Sequence, residues 1–103
     1  MAELGGSMLN GKRRAYLKKL AQQEDPALII GKNGVTKEVI DQLEALANKR
    51  ELVKIRFLDT TPEEPKKMIE EILEALDAEF VQHIGSKFTF YRESDERVIE
   101  FHE

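Results

Sequence analysis

One short stretch of the chain holds no polar residue, Ala27-Leu28-Ile29-Ile30, and it limits the possible folds more than any other feature. Asp25-Pro26 breaks the chain before it, and Gly31-Lys32-Asn33-Gly34 follows at once. Four residues are too few for a buried helix, so the stretch is expected to be a strand. Apolar at every position, it suits burial on both faces. A sheet with such a strand needs cover above and below, which points to an α/β architecture. The same stretch is the longest apolar run in the chain and falls far short of the ~20 residues a membrane-crossing helix requires.

The flanking segments supply the cover. Asn10 is placed to cap a helix over 12–22, with Tyr16, Leu17, Leu20 and Ala21 on one arc at 100° per residue. Lys12, Arg14, Lys18 and Lys19 fall opposite, around Ala15, and Arg13 sits awkwardly on the apolar side. No acidic residue occurs between Gly11 and Gln23, whereas solvated helix faces ordinarily mix signs. Thr36 caps a second helix whose buried stripe is Val39, Ile40, Leu43, Leu46 and Ala47. From Leu52 to Phe57, Val53, Ile55 and Phe57 alternate with Lys54 and Arg56, a half-buried strand with its cations on an exposed edge. A third helix runs to about Leu76 over Met68, Ile69, Ile72, Leu73 and Leu76, with Glu70, Glu71 and Glu74 on its other face. Its start is either a capping box from Thr61 to Glu64 or a first turn at Pro65. Two strands, 80–84 and 87–92, join through Gly85-Ser86 as a hairpin. Pairing them places Val81, His83, Phe88 and Phe90 on one face. Phe80, Gln82, Ile84, Thr89 and Tyr91 fall on the other, for which the first helix is the available cover. Within the charged C-terminal segment, Val98, Ile99 and Phe101 are apolar enough for a short extended stretch. The order αβαβαββ implies one domain with a mixed sheet, parallel through the crossovers and antiparallel at the end.

At 103 residues with 41% hydrophobic side chains, the chain has the size and the material for one core. The formal net charge of −4 argues against a generic polyanion binder, but the charge is unevenly spread. Residues 1–34 hold six basic and three acidic side chains, and the rest hold ten and seventeen. One basic surface on an acidic body is the expectation. Without cysteine there is no disulfide, thiol nucleophile or thiolate metal site. His83 and His102 make a poor metal site and no Ser-His-acid set can be assembled, so neither catalysis nor a cofactor is expected. No basic, greasy leader is present, and a cytoplasmic protein is expected.

A glycine-rich turn between a strand and a helix start exposes backbone amides to an incoming anion. Gly31 and Gly34 permit close backbone approach and Lys32 adds a charge at the tip. The spacing is that of the G-x-x-G loop with which KH domains clamp a nucleic-acid backbone. It is not a P-loop, because Lys32 is followed by neither Ser nor Thr and the loop is too short.

Four segments together resemble the YhbY-like, or CRM-domain, RNA-binding proteins. The run from Leu9 to Ala21 resembles their opening helix, and Ile30 to Thr36 their signature loop. Arg50 to Ile55 resembles their second strand, and Val81 to Gly85 with Tyr91-Arg92 their closing hairpin. The resemblance implies a domain over 8–94 with a mixed four-stranded sheet, related to the C-terminal domain of translation initiation factor three. A flexible leader over 1–7 and a charged tail over 95–103 would flank it. It also implies RNA binding and, for stand-alone bacterial members, association with ribosomal RNA in precursors of the large subunit. Gly31, Lys32, Asn33 and Gly34 would then contact the RNA backbone. Lys12, Arg14, Lys18 and Lys19 would supply the neighbouring charge, with Lys54 and Arg56 as an extension. Asn10, His83 and Asp77 depart from the family pattern, and Asp77 in place of glycine would strain a left-handed helix end. A monomer that binds neither membrane nor small-molecule substrate is expected. The rival reading is a protein-interaction module that docks on a ribosomal or other basic partner through the acidic third helix.

Overall fold

The seven expected elements follow one another in the expected order in a computed structural model that describes residues 9–101. They are α1 (Gly11–Gln22), β1 (Leu28–Ile30), α2 (Lys37–Arg50), β2 (Leu52–Phe57), α3 (Pro65–Leu76), β3 (Glu79–Ile84) and β4 (Lys87–Tyr91). The leader over 1–7, and His102 and Glu103 of the tail, lie outside the described residues. The four strands form one sheet in the order β1-β2-β4-β3. β1 is parallel to β2, and β4 runs antiparallel to both its neighbours.

Each helix starts where its capping chemistry allows. The Asn10 side-chain oxygen accepts from the Arg13 amide at 2.8 Å, and the Thr36 hydroxyl accepts from the Val39 amide at 3.1 Å. α3 begins at Pro65 with no side-chain cap, so the Pro65 alternative holds; the Thr61 hydroxyl instead donates to the Glu63 carbonyl. α3 ends at Asp77 in the left-handed conformation, φ 52° and ψ 48°, the strained position expected there.

The sheet separates two cores. On one face α2 and α3 bury Leu43, Met68 and Ile72 against Ile55, Phe88 and Phe90. On the other, Leu17 and Ala21 of α1 pack on Leu52, Val81 and Tyr91. The first helix therefore covers the second face, as its apolar arc requires.

Three expectations give way. β1 is an edge strand that is not buried on both faces: Ile29 is 56% exposed, because α1 packs over β2 and β3 and leaves β1 open on that side. β2 is a central strand, so Lys54 and Arg56 are on no edge. Finally, a bulge between Phe80 and Gln82 turns Val81 into the α1 core. Phe80 moves to the opposite face, stacking on Phe88 with ring centroids 6.0 Å apart. One extra residue in the strand exchanges the faces assigned to these two side chains.

The C-terminal segment adds no strand and folds back over the α1 side of the sheet. Its anchor is Glu51, the residue after α2, whose side chain is fully buried and whose φ is 67°. One carboxylate oxygen accepts from the Ser94 amide and hydroxyl, both at 2.7 Å, and the other accepts from the Ile99 amide at 2.6 Å. Burial by itself would raise the Glu51 carboxyl. The Ile99 and Ser94 amides, with the Ser94 hydroxyl, outweigh it and hold the group below its ordinary value. Phe101 meets Tyr16 and Tyr91 edge-on, and the Arg13 guanidinium lies 4.8 Å from its ring centre. Arg13 thus sits on the apolar side of α1 because an aromatic ring waits for it there.

Candidate nucleic-acid interface

The loop after β1 is a tight turn in which the Gly34 amide donates to the Gly31 carbonyl at 2.9 Å. Gly34 has φ +68°, and a side chain there would put a Cβ 2.9 Å from Pro62 Cγ. Both observations demand glycine, yet Gly34 itself is buried and its amide is spent inside the turn. At Gly31 a Cβ would meet only Leu58 and Thr60 at ordinary contact distances, so packing does not require a glycine there. Close approach from outside remains its distinguishing property. Lys32 and Asn33 form the exposed tip, and neither amide makes a hydrogen bond to another described residue. The turn leads directly into the Thr36 cap, so the tip sits ahead of the positive end of α2.

The basic helix is arranged in two parts. Lys12 and Lys19 point away from the sheet, and both are exposed. Arg14 and Lys18 lie on one flank of α1; Arg13, Tyr16 and Leu20 occupy the other, where Phe101 and Ile99 pack. Arg14 is half-buried and its Nε donates to the Phe80 carbonyl of β3 at 3.2 Å, leaving the rest of its guanidinium available. Lys12, Lys18, Lys19 and Lys32 have no ion-pair partner among the described residues.

Lys54 is committed elsewhere. Its ammonium donates to the carbonyls of Ala21 at 3.0 Å and Glu24 at 3.1 Å, satisfying the negative end of α1. It fastens the basic helix to the sheet and is not free for a ligand. Alternation of apolar and basic residues carries no signal that separates such a lysine from a solvated one. Arg56, two residues on, is exposed.

Acidic residues border the loop on its Pro62 side. Asp59, Glu63 and Glu64 line the groove between the β2–α3 connection and the hairpin turn, and Glu70 and Glu74 are exposed farther along α3. Burial, and next the neighbouring Glu63 carboxylate, raise the Glu71 carboxyl. His83 is exposed on β3, and no group of three His, Cys, Asp or Glu side chains among the described residues is placed to hold a metal ion. No helix of the described residues is long and apolar enough to cross a membrane.

The chain is similar to known proteins along most of its length. The profile of the CRS1 / YhbY (CRM) domain matches residues 9–92. An "RNA-binding protein" of Haemophilus influenzae is 33% identical over 92 residues, covering 89% of this chain and 93% of that protein. The Bacillus subtilis "Probable RNA-binding protein YqeI" is 32% identical over 89 residues, 86% of this chain and 93% of its own length. The solution structure of SAV1595 from Staphylococcus aureus superposes with a TM-score of 0.72 at 40% identity, covering 85% of this chain and 92% of that one.

Proposed function

The chain belongs to the CRS1/YhbY (CRM) domain family, and we propose that it is a non-catalytic cytoplasmic RNA-binding protein whose ligand is ribosomal RNA during assembly of the large subunit. The domain over 8–94 carries the binding. Lys32 and Asn33 meet the RNA backbone at the turn, Gly31 lets it come close, and Gly34 sets the turn's shape. Lys12, Arg14, Lys18 and Lys19 supply the surrounding attraction. One observation supports this reading above the others. The exposed lysines of α1 and the turn carry no acidic partner among the described residues, and the Lys32 and Asn33 amides make no hydrogen bond to another described residue.

The test is salt dependence. With about three to five phosphates neutralised, log K against log salt should slope at roughly −2 to −5. Charge reversal at Glu70, Glu71 and Glu74 should leave RNA affinity intact or raise it. Affinity that ignores salt, or that vanishes with those glutamates, would instead favour docking on a basic protein through α3.

A further inference from the structure

The α1 face of the sheet is covered over only part of its length. Toward the end where the strands lead into the glycine turn, one row of residues crosses all four strands in register. Ile29 pairs with Arg56, Arg56 with Lys87, and Lys87 with Ile84. All four are exposed, the isoleucines by 56% and 63%. The row spans three strand spacings, roughly 14 Å. Along β2 it lies between Lys54, which fastens α1, and Phe57, which pairs with Ile30 just before Gly31. The open floor thus separates the basic helix from the glycine turn. Arg14 and Lys18 lie on the flank of α1 that the C-terminal segment leaves free.

Arg56 and Lys87 are direct neighbours across an antiparallel pair, where Cβ atoms lie about 4.5–5.5 Å apart and like charges destabilise the sheet. Neither has an ion-pair partner among the described residues. Two adjacent cations on a central, one-sided floor fit an anion laid across them, and the flanking isoleucines offer apolar contact to the uncharged part of the same ligand. We propose that this floor is a further RNA-contact surface: Arg56 and Lys87 hold the sugar-phosphate backbone as it passes from the glycine turn to α1, with Ile29 and Ile84 packed against its sugars. This rests on the RNA-binding reading above and extends it to a continuous track. A protein segment of mixed apolar and acidic character is the competing occupant; continuity with the turn and with the cations of α1 favours RNA.

The variant Arg56→Gln/Lys87→Gln removes the repulsion along with the charge, so its thermal melt should match or exceed that of the parent. Its affinity for a large-subunit ribosomal RNA transcript should fall about tenfold, and the salt slope should shrink by about 1–2. Lys32→Asp/Asn33→Asp, run beside it, reports on the turn alone. If the parent binds the transcript, the turn variant loses affinity and the floor variant retains it, the floor is not part of the track while RNA binding stands. A fall in affinity with an unchanged salt slope would likewise overturn a phosphate contact. If the parent itself does not bind RNA, the underlying reading fails first, and the floor proposal with it.

Discussion

Replacing Glu51 by Gln tests how the C-terminal segment is held. The carboxylate accepts three hydrogen bonds from Ser94 and Ile99. Glutamine retains one acceptor oxygen and turns an NH2 toward donors, so at least one charge-assisted bond is lost and a donor faces a donor. Bonds to charged groups contribute about 1.5–3 kcal/mol each, and the relief of no longer burying a charge offsets part of the loss. A net destabilisation of about 2–3 kcal/mol follows, or roughly 10–20 °C in Tm for a domain of this size. Urea denaturation and the exchange rate of the Ile99 amide report it directly. The effect also has a pH signature. The folded-state carboxyl lies below its ordinary 4.5, so its contribution is complete above about pH 4.5 and disappears as pH falls through the lower folded value. Parent and variant stabilities should therefore converge in acid. A variant within about 0.5 kcal/mol of the parent at neutral pH would refute the clasp, since that is the range of an ordinary surface change.

Asp77→Gly should stabilise the protein by roughly 1 kcal/mol, because Asp77 ends α3 at φ 52° where only glycine is free of the side-chain penalty; a melt lower than the parent's would contradict this. Tyr91 is pushed up to about 12, first by burial and then by the Glu51 and Glu93 carboxylates. Its contribution is complete below its ordinary value of 10.0 and is lost as pH rises through the folded value, so alkaline destabilisation should be smaller in Tyr91→Phe when both are titrated over that range.

Much of the fold was legible because the buried stripes of α2 and α3 repeat at helical spacing and β2 alternates at period two. What failed was what a single strand cannot say about its neighbours. The run Ala27–Ile30 reads alike whether the strand is central or at an edge, and only the sheet order exposes Ile29. A bulge breaks strict alternation without any mark in the sequence, which is why Phe80 and Val81 changed faces. At the site, glycine spacing located the turn but not the division of labour within it, since the Gly34 contact with Pro62 joins residues from separate loops. Arg13 was the one legible sign of the folded-back segment: a cation on an apolar arc implies a partner, and Phe101 is that partner. Glu51 gave no comparable sign, because a glutamate after a helix is ordinarily solvated.

The turn itself is the most direct place to test RNA binding. Lys32→Asp/Asn33→Asp puts two carboxylates at the exposed tip, ahead of the positive end of α2. A carboxylate there is tolerated or mildly stabilising, by about 0.3–1 kcal/mol, so the thermal melt should hold. Lost attraction and added repulsion beside a phosphate should cost about 1–3 kcal/mol, a fall of roughly five- to 150-fold in affinity for large-subunit ribosomal RNA. Unchanged affinity with an unchanged melt would mean that Gly31-Lys32-Asn33-Gly34 is only a turn between a strand and a helix.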